Sequence, residues 1–218
     1  MTQRKHRKIT DEMPTTEDRL GQSRDDEHQL LERTMNELLR GENGTNPLKA
    51  GACAPLFRLR DEEGKAVSAE RLLRKGPLVV VFYRGEWCAY CASELAAIEK
   101  AMPEFNELGA SVVAISPQLH PGARNKLAAL TRLRDPHNEV AASFGVRYTL
   151  PEQLISLYRK LEVNMQGFNG DESWTLPLSA LYVITSDGMV LYSEVHSDYA
   201  KHASSHNALT VLRAYKSR

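Results

Sequence analysis

An unbroken apolar run at residues 78–83, followed after a short loop by a Cys-x-x-Cys motif, constrains the fold of this chain most strongly. The run reads Leu-Val-Val-Val-Phe-Tyr, and its β-branched residues without polar alternation are typical of a central strand covered on both faces. After the motif, Cys88 to Cys91, apolar residues recur at steps of three and four, which predicts a helix with one buried stripe. The stripe consists of Leu95, Ile98, Met102 and Phe105. Pro103 falls within this pattern and predicts a kink rather than two helices, because the stripe continues through it.

The rest of the chain alternates between strand and helix patterns. Further strands are predicted at residues 111–116, 180–184 and 189–195, and further helices at 121–131, 139–144, 151–161 and 202–215. The last two strands are joined by a Ser-Asp-Gly turn, which predicts an antiparallel hairpin. This order predicts an α/β fold with a mixed central sheet flanked by helices, as in thioredoxin-like proteins.

Residues 1–46 differ from the remainder in being dense in charge and poor in apolar side chains. Within them, four apolar residues at helical spacing predict one amphipathic helix, namely Leu31, Met35, Leu38 and Leu39. A cluster of turn formers around Asn46 and Pro47 ends this segment. The sequence therefore predicts a charged tail with an N-terminal helical extension, residues 1–46, and one domain, residues 47–218. The apolar stripe of the extension is expected to pack on that domain or on a second subunit, which would make a homodimer.

Composition excludes several classes of function. The 28 Lys and Arg balance the 28 Asp and Glu, so there is no overall positive field to attract nucleic acid or an anionic membrane. The run at residues 78–83 is much too short to span a bilayer. No apolar stretch follows the basic residues at the N-terminus, so a secretory signal is not predicted and a soluble, cytoplasmic protein is expected.

The Cys-x-x-Cys motif is the candidate reactive group. At a helix N-terminus, unpaired backbone N–H groups and the helix dipole favour an anion, so a thiol held there loses its proton more readily. Arg84 adds a positive charge nearby and Glu86 opposes it. We expect the effect of the arginine to prevail.

Two other readings of these cysteines are a zinc site and a pair of inert buried thiols. Zinc is disfavoured because neither Cys53 nor His120 or His137 supplies further ligands at a recognised spacing. The strand-loop-helix context argues against inert thiols. Cys53 is expected to be structural or incidental on an edge strand, and His202 and His206 are expected to be surface residues. The sequence thus predicts neither a metal nor a cofactor.

The stretch around the cysteines also resembles a known family. Phe-Tyr-Arg-Gly-Glu-Trp-Cys-Ala-Tyr-Cys at residues 82–91 and Ala-Ile-Ser-Pro-Gln at 114–118 are similar to the peroxiredoxin-like branch of the alkyl hydroperoxide reductase/thiol-specific antioxidant (redoxin) family, whose core is a thioredoxin fold. Further matches occur at residues 51–57, 135–145 and 174–177. The resemblance covers roughly residues 48–200.

The resemblance implies redox chemistry at Cys88 and Cys91, with a disulfide between them as the oxidised product. In the peroxiredoxin alignment, which we favour, Cys91 takes the attacking position and Cys88 the place of a threonine. In the thioredoxin alignment, Cys88 attacks and Cys91 resolves. The expected supporting residues are Arg84, Trp87 and Tyr90 in the motif stretch, and Ser179, which stands where this branch has a proline before its strand.

The implied function is a thiol-based antioxidant oxidoreductase that reduces peroxides with electrons from thioredoxin, glutathione or another thiol. One alternative is a thioredoxin-like disulfide reductase acting on protein disulfides. Another is a redox-inactive interaction module whose N-terminal helix is the functional part.

Overall fold

The computed structural model describes residues 45–119, 129–160, 164–196, 201 and 203–217, together with 29–30, 33 and 37. Residues 29, 30, 33 and 37 are helical. The predicted apolar stripe of the extension, His202 and most of the predicted helix at 121–131 lie outside the described residues, so those expectations stay predictions, as does the boundary after residue 46.

The described part of the chain alternates strands and helices. The strands are β1 (Arg58–Asp61), β2 (Ala66–Ser68), β3 (Leu78–Phe82), β4 (Ser111–Ser116), β5 (Thr131–Arg134), β6 (Arg147–Thr149), β7 (Thr175–Pro177), β8 (Ser179–Ile184) and β9 (Val190–His196). The α-helices are α1 (Ala69–Leu73), α2 (Ala89–Glu107), α3 (Glu139–Ser143), α4 (Glu152–Lys160), α5 (Met165–Asn169) and α6 (Ser205–Lys216). A single 3₁₀ turn, Pro136–Asn138, precedes α3.

Seven of these strands form one mixed sheet in the order β2-β1-β5-β4-β3-β8-β9. Strands β3, β4 and β5 run parallel, and β8 lies antiparallel beside β3 and continues into the β9 hairpin. Strands β6 and β7 form a separate antiparallel pair. The predicted α/β architecture, a mixed sheet flanked by helices, is confirmed.

The core is built on β3, whose five residues are all buried, as expected for a central strand. Helix α2 places its predicted stripe against the sheet, and the helix continues through Pro103. Helix α6 packs beside α2, where Arg213 forms an ion pair with Glu104 and the Lys216 Nζ donates to the Glu107 carbonyl at 3.2 Å. These contacts fix the helix that begins at the cysteine motif.

Two expectations need correction. The predicted helix at residues 121–131 is wrong at its C-terminal end, because Thr131 begins strand β5. The pattern of apolar residues did not indicate a strand here, because β5 has only four residues and two of them are Arg132 and Arg134. Strand β5 nevertheless lies against β4. Cys53 is not within a strand: it forms an isolated bridge with Met189 and is exposed.

The topology gathers several loops at one edge of the sheet. The carboxyl ends of the parallel strands β3, β4 and β5 meet there, and the antiparallel β8 begins there, since Phe82 pairs with Ala180. In open α/β sheets this edge is where ligands bind. Within the described part of the chain, no helix combines the length and the hydropathy that crossing a bilayer requires.

Candidate active site

The loop between β3 and α2 is held in a tight turn that needs a glycine. Gly85 has φ +149°, and a Cβ added there would lie 2.4 Å from the Trp87 Nε1 and 2.9 Å from the Gln118 Oε1. The same Gln118 oxygen accepts a hydrogen bond from the Glu86 backbone N–H at 2.6 Å. The loop from β4 therefore fixes the backbone that delivers Cys88 to the start of α2.

Cys88 is the residue that caps the N-terminus of α2. Its sulfur accepts a hydrogen bond from the Arg84 Nη2 at 3.2 Å, and the Arg84 side chain is itself buried, with 1% of its surface exposed. A buried guanidinium and the positive end of a helix dipole both favour a thiolate over a thiol. Of the two charged residues that the sequence places before the motif, Arg84 is therefore the one that contacts the Cys88 sulfur.

The two thiols have opposite electrostatic settings. A hydrogen bond from the Cys91 thiol lowers the pKa of Cys88 well below that of a free cysteine, and the Arg84 charge lowers it further against the opposing effect of burial. The same hydrogen bond raises the pKa of Cys91, and burial raises it again. Cys88 retains 3% exposure and Cys91 none. These effects favour the thiolate on the outer sulfur, Cys88, and the protonated thiol on the inner one, Cys91.

Aromatic side chains line the approach to Cys88. Trp87 stacks on Phe168 with ring centroids 6.3 Å apart and meets Tyr158 edge-on at 5.9 Å. Tyr90, two residues after Cys88, and Phe168, which stacks on Trp87, are both exposed, so apolar surface reaches solvent next to the motif stretch. Trp174 lies under the guanidinium of Arg159, whose Cζ is 5.2 Å from the ring centroid.

Ser179 begins β8 at the same edge of the sheet and is buried. Its hydroxyl donates to the Glu94 Oε2 at 3.3 Å, and Glu94 lies one turn after Cys91 on α2. Ser179 therefore ties β8 to the first turns of the cysteine helix. The structure brings all the predicted site residues, Cys88, Cys91, Arg84, Trp87, Tyr90 and Ser179, to this one edge.

Glu86, expected to oppose the thiolate, is instead neutralised by a residue that the sequence did not single out. Its carboxylate pairs with Arg132 on β5, and Arg132 also holds Glu62 through its Nε at 2.6 Å. The side chains of Arg132 and Glu86 are 5% and 9% exposed. The ion pair with Arg132 compensates the negative charge of Glu86. The positive charge of Arg84 is therefore the stronger influence on the Cys88 sulfur.

Replacing Arg132 by methionine should destabilise the fold by about 3 to 5 kcal/mol, because it leaves the Glu86 carboxylate buried without its cation. Urea unfolding measures this loss. The double variant Arg132→Met with Glu86→Gln should recover much of it, since the buried charge of Glu86 is then removed and only Glu62, which is 32% exposed, loses a partner. A loss below about 1 kcal/mol in the single variant would show that solvent screens the pair as it screens a surface salt bridge.

Comparison with known proteins agrees with this geometry. A family model described as AhpC/TSA family matches residues 50–193. The chain belongs to the AhpC/TSA family. A chloroplastic peroxiredoxin Q of Oryza sativa subsp. japonica is 30% identical over 142 residues, which cover 65% of this chain and 57% of that protein. The chain thus spans little more than half the length of this relative.

Solved structures show the same fold as this AhpC/TSA chain. Peroxidoxin BcpB from Mycobacterium tuberculosis has a TM-score of 0.56 at 24% identity and covers 77% of this chain and 97% of its own. The reduced 2-Cys peroxiredoxin of Plasmodium vivax has a TM-score of 0.59 at 19% identity over 78% of this chain and 83% of its own. The peroxiredoxin-like thioredoxin fold implied by the sequence is confirmed.

Sequence reasoning missed the residues that shape the site from distant parts of the chain. Arg132 forms an ion pair with Glu86, and Tyr158 packs on Trp87. In both pairs the two residues lie far apart along the chain. The pattern around Arg132 gave no signal, since an arginine in a charged stretch normally faces solvent. Gln118 lay within the matching stretch, yet only the structure shows that it holds the loop at Glu86.

Proposed function

We propose that this protein is a thiol peroxidase in which Cys88 attacks a peroxide and Cys91 resolves the product. The single observation that carries the proposal is the contact of the buried Arg84 guanidinium with the Cys88 sulfur at 3.2 Å. A thiolate is the attacking form of cysteine, and this arginine stabilises it on the outer of the two sulfurs. The AhpC/TSA family and the peroxiredoxin relatives support peroxide as the substrate.

The chemistry proceeds in two steps. The Cys88 thiolate attacks one peroxide oxygen, the O–O bond breaks, and the sulfur becomes a sulfenic acid while the other oxygen leaves as hydroxide from hydrogen peroxide, or as an alkoxide from an alkyl hydroperoxide, and takes a proton from water. Cys91 then gives up its proton and attacks the Cys88 sulfur, so that a disulfide forms and hydroxide leaves as water. Two electrons have passed from the dithiol to the peroxide.

A thiol reductant closes the cycle by exchange with the disulfide. Thioredoxin, glutathione or a similar thiol would attack through the exposed aromatic face beside Cys88, where Tyr90 and Phe168 reach solvent. We also propose a cytoplasmic location, because the reducing thiols that this cycle needs are abundant there.

A disulfide reductase is the second candidate, favoured by the position of Cys88 as the outer, low-pKa thiol of a Cys-x-x-Cys at a helix N-terminus. The two activities are separated by offering the reduced protein hydrogen peroxide or insulin disulfides under the same conditions. Faster oxidation by peroxide supports the peroxidase. Preferential reduction of insulin would assign the reductase instead.

Titration with one equivalent of hydrogen peroxide tests the proposal. We expect the loss of two thiols, a Cys88–Cys91 disulfide on mass mapping, and a free Cys53, whose sulfur lies 3.6 Å from the Met189 sulfur at a separate surface. Cys53→Ser is the matched control and should show the same loss of two thiols. A disulfide that includes Cys53, or thiols that survive peroxide, would contradict the proposal.

A further inference from the structure

Tyr148 carries a buried hydroxyl that no group in the described part of the chain hydrogen-bonds. Its side chain is 2% exposed, whereas Arg147 and Thr149 on either side of it in β6 face solvent. A buried polar group without a partner lowers stability, so its presence in a folded protein calls for a role in another state of the site.

The topology brings Tyr148 toward the edge of the sheet where the two cysteines lie. Strand β6 pairs with β7, and β7 leads directly into Ser179 at the edge where the cysteine loop lies. The charges of Arg84 and of both cysteines act on the Tyr148 phenol. The Tyr158 ring, which packs on Trp87 next to Cys88, acts on it as well.

The hydroxyl of Tyr148 can donate a hydrogen bond at physiological pH. Burial raises the pKa of this phenol, so it remains protonated. In the reduced protein the Cys88 sulfur accepts from Arg84 and from Cys91, while the Tyr148 hydroxyl bonds to neither sulfur. A peroxide oxygen bound at Cys88 would accept the hydrogen bond that the Tyr148 hydroxyl does not donate in the reduced protein.

We propose that Tyr148 is a further catalytic residue, whose hydroxyl donates to the peroxide oxygen that departs as Cys88 attacks. This inference rests on the proposed peroxidase function. The oxygen gains negative charge as the O–O bond breaks, Tyr148 shares its proton without losing it, and the departing oxygen finally takes a proton from water. A hydrogen bond made only as charge develops accelerates the step without changing the resting thiolate.

Tyr148→Phe tests the proposal in the full-length protein, with hydrogen peroxide and iodoacetamide as the two probes. Oxidation by peroxide should slow at least tenfold, toward the roughly hundredfold loss seen when one such donor is removed from other enzymes. Alkylation by iodoacetamide should keep its rate and pH profile, because its iodide leaving group needs no such donor. The melting temperature should not fall, since the hydroxyl removed makes no hydrogen bond.

Tyr182→Phe is the matched control. Its buried hydroxyl donates to the Phe144 carbonyl at 3.4 Å, away from the cysteines, so this change should lower the melting temperature and leave peroxide oxidation unchanged. Equal oxidation rates for wild type and Tyr148→Phe would overturn the inference, as would a parallel loss of alkylation, which would assign Tyr148 to the thiolate. A wild-type protein inert to peroxide would instead refute the proposed function itself.

Discussion

Replacing Cys88 by serine should abolish peroxide reduction at the first step, whereas replacing Cys91 by serine should stop the cycle only at the second. Cys88 carries the thiolate that Arg84 stabilises, so Cys88→Ser removes the attacking group itself. Cys91→Ser keeps that thiolate and removes the thiol that resolves the sulfenic acid. Dimedone labelling after peroxide treatment, read by mass spectrometry, should find a sulfenic acid on Cys88 in Cys91→Ser and none in Cys88→Ser.

The peroxiredoxin alignment makes the opposite prediction, because it assigns attack to Cys91. The structure argues against that assignment on physical grounds, since Cys91 is fully buried and its pKa is raised by its hydrogen bond to Cys88 and by burial. Cys53→Ser serves as the control and should behave as wild type in both assays. A labelled sulfenic acid on Cys91 in Cys88→Ser would restore the peroxiredoxin alignment and refute attack by Cys88.

Replacing Arg84 by methionine should move the pH dependence of Cys88 reactivity upward. The thiolate fraction falls as the pH falls through the pKa of Cys88, and loss of a neighbouring opposite charge raises that pKa by about one unit or more. At about pH 5, which is near the Cys88 pKa of about 5, alkylation by iodoacetamide should therefore slow about fivefold or more, because a rise of one pKa unit lowers the thiolate fraction there from about one half to about one eleventh. The difference should vanish once the pH exceeds both midpoints.

Two variants control this experiment. Arg84→Lys keeps a charge without the planar donor group and should give an intermediate midpoint. Arg159→Met removes an exposed arginine that lies over Trp174, and should leave the profile unchanged. Superimposable profiles for Arg84→Met and wild type would show that the helix terminus and Cys91 alone stabilise the thiolate.

Much of the fold was predictable because its signals are local. The apolar run of β3, the motif and the stripe of α2 lie in one continuous segment, and the hairpin of β8 and β9 is marked by its own turn. Short strands were not predictable in this way. Strand β5 and the β6–β7 pair hold too few residues to show a period, and their partners lie far away in the chain.

The sequence by itself determined that a dithiol sits at the start of a helix behind a buried strand, and that Arg84 lies within reach of it, since all these groups are neighbours along the chain. Only the tertiary structure decided which sulfur is better placed to hold a negative charge. That choice depends on the depth of each thiol, on the contact of Arg84 with the Cys88 sulfur, and on the pairing of Glu86 with Arg132. Such contacts follow from the pairing of distant strands, and electrostatic effects act through space, so no local pattern of residues encodes them.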